Sequence, residues 1–126
     1  MSDVAKTVDT YLAMWNETDA TRRAAYVEQI WTTDGHYADP ALEASGHAAL
    51  GAMVAGVHAR FPAHRFRRTS GIDLHHDQLR FGWELAGPDG SVVVAGIDVG
   101  ALAPDGRLRR ITGFFGELSK DGAAGG

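Results

Sequence analysis

The sequence predicts an α+β fold, with helices segregated on one face of a curved, mostly antiparallel sheet. Three observations predict it. Apolar residues recur at helical spacing through the first half of the chain. From His64 onward the spacing changes to period two. Gly87-Pro88-Asp89-Gly90 and Pro104-Asp105-Gly106 then punctuate the later runs as turns, so those strands join as hairpins.

The elements follow in order. Ser2 or Asp3 can cap a first helix whose stripe is Val4, Val8, Tyr11, Leu12 and Trp15. Asn16-Glu17-Thr18-Asp19 breaks it, and Asp19 can cap a second helix buried through Val27, Ile30 and Trp31. Thr32-Thr33-Asp34-Gly35 reads as a turn, and His36-Tyr37-Ala38-Asp39 as a short strand ended by Pro40. Ser45-Gly46 opens a third helix carrying Leu50, Met53, Val54, Val57 and Phe61, which Pro62 stops. His64, Phe66, Ile72 and Leu74 outline a long strand bulged near Ser70-Gly71. Leu79, Phe81, Trp83 and Leu85 alternate with Arg80, Gly82 and Glu84 as the clearest strand in the chain. The runs 92–100 and 108–115 complete the sheet.

With 126 residues the chain is one domain's worth, expected over 1–118 with a frayed tail over 119–126. The net charge of -4 offers no basic surface to nucleic acid or an anionic membrane. Arg65-Phe66-Arg67-Arg68 and Arg107-Leu108-Arg109-Arg110 are the basic runs, read as wet faces of strands. The absence of cysteine removes disulfides, thiolate catalysis and cysteine zinc sites together. No secretory signal or membrane-length apolar run is evident, which suggests a cytoplasmic setting.

Asp98 stands out within Val92-Val93-Val94-Ala95-Gly96-Ile97-Asp98-Val99-Gly100, a carboxyl amid apolar and glycine residues. Buried there, it has to be protonated, paired or hydrogen-bonded. If Asp98 points inward, Val94, Gly96 and Gly100 share its face, while Val93, Ala95, Ile97 and Val99 face outward. The expected cavity lies between the helices and the concave face of the sheet. Its walls would be Trp15, Met53, Val57, Phe61, Phe81, Trp83, Val94, Gly96 and Phe115. The six histidines form no recognised metal spacing, and adjacent His75 and His76 point to opposite faces of a strand. His36 or His64 is the better placed to act as an acid or base near the cavity.

Three segments carry a resemblance that spans Val4 to Leu118. They are Tyr11 in the first helix, Tyr37-Ala38-Asp39-Pro40 followed by Ser45-Gly46, and Val93-Val94-Ala95-Gly96-Ile97-Asp98, with Phe114-Phe115-Gly116-Glu117 as a closing strand. Together the order and motifs resemble the cone-shaped NTF2-like fold of the SnoaL-like cyclases and ketosteroid isomerases. That resemblance implies a homodimer and a site in which Asp39 is the base, with Tyr11 and Asp98 bonded to the substrate oxygen. The chain departs from the isomerases in having Gly96 for their common proline, Val99 for their histidine, and a longer span from Tyr11 to Asp39.

The first expectation is a small cofactor-independent enzyme moving a proton on an apolar carbonyl compound, as isomerase, cyclase or lyase. The second is a non-catalytic binding or assembly module that uses the cone as a ligand cup. The third is an epoxide hydrolase, which needs an arginine bridging two acids over a water.

Overall fold

Helix α1 (Asp3–Asn16) buries Val8, Tyr11 and Trp15 of the expected stripe together with Met14, which the spacing did not mark, while Val4 and Leu12 are only partly buried. The computed structural model describes residues 3–120, so a cap by Ser2 lies outside the described residues. Asp3 sits in the first turn, where a carboxylate favours the positive helix end. Helix α2 (Ala20–Ile30) begins as the sequence predicts: the Asp19 carboxyl accepts the backbone N–H of Arg22 at 2.9 Å.

Strand β1 (Trp31–Ala38) departs from expectation at both its start and its middle. Trp31 opens the strand rather than ending the helix, and Thr32 to Gly35 continue it rather than turn. The reason lies in Gly35. A methyl there would stand 2.5 Å from Cε3 of Trp31, so the glycine makes way for the indole. The register against its neighbour slips between Trp31 and His36, which absorbs the irregular stretch.

Strand β2 (Glu43–Ser45) went unanticipated, since three residues are too few to show alternation. Helix α3 (His47–Arg60) follows Gly46, whose φ of 85° suits a residue without Cβ. Strand β3 (Arg65–His75) slips register between Arg68 and Ile72, at the expected bulge. Its Arg65, Arg67 and Arg68 are exposed, as the basic run suggests. Strands β4 (Gln78–Ala86), β5 (Val92–Leu102) and β6 (Leu108–Phe115) complete the sheet.

The strand order is β2-β1-β6-β5-β4-β3. Every neighbouring pair is antiparallel except β1 and β6, which run parallel. The three helices pack on the six-stranded curved sheet, the α+β arrangement that the sequence predicts. Between them Val8, Met14, Trp31, Leu50, Val54, Leu108 and Ile111 make the core. Residues 121–126 of the expected tail lie outside the described residues. No described helix is long and apolar enough to cross a membrane.

Candidate active site

Asp98 lies in mid-β5, opposite Phe81 on one side and Gly113 on the other, and is only 4% exposed. Two donors from different elements reach its carboxyl. The Tyr11 hydroxyl of α1 donates to Oδ2 at 2.8 Å, and the Trp83 indole N–H of β4 donates to Oδ1 at 3.0 Å. Asp98 is raised from an ordinary 3.8 to about 7, chiefly by burial, with the two donors opposing the rise and the charge of nearby Asp39 adding to it. Tyr11 is itself raised well above its ordinary value, first by burial and then by the charge of Asp98. The phenol keeps its proton.

Asp39 follows β1 directly and comes with its own donors. Tyr37, two residues earlier on the same strand face, donates its hydroxyl to Oδ2 at 2.6 Å. The backbone N–H groups of Ala41 and Leu42 both donate to Oδ1 at 2.8 Å. Tyr37 is pushed up from its ordinary value by burial first, then by Asp98 and by its bond to Asp39. The turn after Pro40 therefore presents Asp39 as an acceptor at a fixed angle.

Gly113 of β6 brings the two acids together. A methyl on it would stand 2.9 Å from Asp98 Oδ1, 3.2 Å from Asp39 Cβ and 3.4 Å from the Tyr37 hydroxyl. Asp39, Asp98, Tyr11 and Tyr37 thus converge on one cavity of about 520 Å³.

The cavity wall is mostly aromatic and aliphatic. Trp15 meets Tyr37 and Phe66 at ring-centroid distances of 5.4 and 5.0 Å, Phe66 meets Trp83 at 5.8 Å, and Trp83 meets Phe115 at 6.0 Å. Of the expected wall residues, Trp15, Met53, Val57, Phe61, Trp83, Val94 and Phe115 do line it. Phe81 and Gly96 do not. Phe81 is buried behind the floor, edge-on to Tyr11 at 6.0 Å. Gly96 leaves no ligand space, because a methyl there would collide with the Phe114 carbonyl and stand 2.9 Å from the Trp83 ring. The space beside Gly100 is likewise filled, by Ile111 at 2.7 Å.

Val93, expected on the outer face, also lines the cavity. Leu85 pairs with Val94 and Ala86 with Val92, so Val93 is the extra residue of a bulge and alternation breaks there. None of the six histidines lines the cavity. His36 bonds Ser45 and Glu43 on the exposed β1–β2 edge, and His64 bonds the Pro62 carbonyl. Among the described residues no three histidine or acidic side chains gather as metal ligands.

Three contributors escaped the sequence reading. Tyr37 shares a strand face with Asp39 two residues away, a signal present in the spacing. Trp83 was expected as wall, but its N–H also serves Asp98. Gly113 gave no signal, because its role depends on the register of β6 against β5.

No family model and no curated protein matches the sequence. Solved structures do. The chain is similar to a protein from Agrobacterium tumefaciens strain C58, provisionally assigned as an isomerase of the SnoaL-like family. The two are 36% identical over 90% of this chain and 97% of that one, with a TM-score of 0.86. It shares its fold with a provisionally assigned SnoaL-like polyketide cyclase from Jannaschia sp. CCS1, at 18% identity, 91% and 89% coverage and a TM-score of 0.68. It also shares it with a de novo designed curved-sheet protein, at 12% identity, 92% and 88% coverage and the same TM-score of 0.68.

Proposed function

The chain belongs to the SnoaL-like family, and we propose that it is a cofactor-independent enzyme moving a proton on an apolar, carbonyl-bearing small molecule. The observation that carries this reading is the meeting of two unlike carboxyls across Gly113 at the floor of an apolar cavity. One of them, Asp98, is buried enough to hold a proton up to about pH 7. The other, Asp39, is presented as an acceptor by the Tyr37 hydroxyl and two backbone N–H groups. Paired acids in such different surroundings suit opposite roles.

In this mechanism Asp39 removes the proton beside the substrate carbonyl, which shifts negative charge onto the carbonyl oxygen. With Asp98 neutral, the Tyr11–Asp98 pair holds two protons. One keeps their mutual bond and the other is given to the developing enolate. Return of the proton to another carbon gives an isomerase; attack of the enolate carbon on a second carbonyl gives a cyclase.

Proton exchange tests this without knowledge of the natural substrate. Cyclic aryl ketones in D₂O should exchange their α-hydrogens, read by NMR, and Asp39→Asn or Asp98→Asn should each slow exchange by roughly a hundredfold or more. Unchanged exchange in both variants overturns the mechanism.

A non-catalytic cup would suit a filled core with Asp98 paired to arginine, whereas its bonded partners are Tyr11 and Trp83 beside an open cavity. The epoxide hydrolase reading is weakened likewise, since none of the described hydrogen bonds or ion pairs joins arginine to Asp39 or Asp98. We also infer a second copy of the chain as partner on the outer sheet face. Ile97 and Phe114 are directly paired there and are 45% and 56% exposed. Sedimentation should give a dimer that Ile97→Lys converts to monomer; a monomeric wild type removes the inference.

A further inference from the structure

The cavity lining contains three charged side chains: Asp39, Asp98 and Arg60. Arg60 ends α3, four residues after Gly56 and eight after Ala52, both of which also line the cavity. That spacing places all three on one helical stripe. A methyl on Gly56 would meet nothing within 4 Å, so the stripe borders open space. Arg60 is exposed and Asp98 is 4% exposed, which sets the arginine at the mouth and the acid at the floor.

Arg60 is held but not neutralised. Its guanidinium carbon lies 5.7 Å from the centre of the Phe61 ring. Among the described residues no carboxylate comes within ion-pair distance of Arg60, Arg23, Arg65 or Arg110, and of these Arg60 is the one that lines the cavity. A cation at a helix C-terminus is favoured by the backbone dipole. The dipole accounts for the sign of the charge, but not for its place on the cavity wall.

We infer that the substrate carries an anionic group, a carboxylate or its equivalent, which Arg60 receives at the cavity mouth while the carbonyl lies at the acid floor. The inference rests on the proton-transfer reading for the carbonyl end and adds the opposite end of the molecule. Asp39, the base in that reading, repels an anion from the floor, so one orientation is selected. The planar guanidinium can grip a carboxylate with two parallel N–H bonds, and the aromatic wall takes the apolar body between.

Binding, rather than turnover, tests this. The probes are 6-acetyl-2-naphthoate and neutral 2-acetylnaphthalene, followed through quenching of Trp15 and Trp83 fluorescence. The wild type should prefer the anion by about threefold to fivefold, as one exposed charge-assisted pair would give. That preference should fall to about one in Arg60→Gln, return partly in Arg60→Lys, and weaken with added salt. Equal affinity for both probes in the wild type, or a preference that survives Arg60→Gln, overturns the inference while leaving proton transfer standing. Binding of neither probe overturns both.

Discussion

The Tyr11 hydroxyl and Oδ2 of Asp98 meet at 2.8 Å across 87 positions of sequence, joining the first helix to the middle of the sheet. Their bond lowers the proton affinity of Asp98 against the larger opposing effect of burial. Tyr11→Phe therefore removes a restraint, and the Asp98 carboxyl should titrate higher than about 7 in the variant. A ¹³C-carboxyl NMR titration reads this directly. The lost buried bond should also lower unfolding stability by about 1–3 kcal/mol. An Asp98 titration that stays put or moves down counts against the pair as described.

The pH dependence of stability follows from the same acid. Asp98 gains its proton near 7 in the folded chain and near 3.8 in an ordinary environment, so between those values the native state holds more protons than the unfolded one. Stability from this group should be greatest below pH 3.8, fall as pH rises towards 7, and level off above, by up to about 4 kcal/mol in all. Asp98→Asn lacks this titration, so the difference between wild type and variant should shift across that window in favour of the variant. Urea unfolding at pH 5 and pH 8 measures the shift. Parallel profiles would show that Asp98 ionises as it does in water.

The period-two runs made much of this legible. Alternation along 79–85 and 92–100 placed Trp83 and Asp98 inward, and helical spacing placed Tyr11 on the core side. Those signals are local, and local geometry alone sets them. The long-range features were hidden. The parallel pairing of β1 with β6 brings Tyr37 and Asp39 beside Gly113, and nothing near residue 37 in sequence announces a partner at 111–113. Asp34-Gly35 was misleading for a physical reason: a glycine that makes way for a tryptophan ring reads the same as one that turns the chain.

Asp39 separates a chemical role from a scaffolding one. Asparagine keeps a carbonyl oxygen for the N–H groups of Ala41 and Leu42, whereas alanine leaves them and the Tyr37 hydroxyl without their acceptor. Asp39→Ala should be destabilised by about 1–3 kcal/mol relative to Asp39→Asn. Both should lose proton-transfer activity alike. Thermal unfolding beside the exchange assay distinguishes them. An active Asp39→Asn would leave Asp39 as a turn residue only.

Gly113 offers the sharpest steric test of convergence. Its backbone is an ordinary strand, so alanine brings no φ penalty, and any effect comes from what the new methyl touches. The nearest atom would be Asp98 Oδ1 at 2.9 Å, and that oxygen is tethered by the Trp83 N–H rather than free to swing aside. Asp39 Cβ at 3.2 Å closes the other side. Gly113→Ala should therefore fold with a loss of about 1–3 kcal/mol, as overpacking of a filled site typically costs. It should also abolish exchange activity, because the methyl pushes apart the two acids that have to share one substrate. By contrast Gly51→Ala, whose methyl would meet nothing within 4 Å and which does not line the cavity, should cost little stability and serves as the steric control. An active Gly113→Ala with an unmoved Asp98 titration would mean that the two carboxyls work apart.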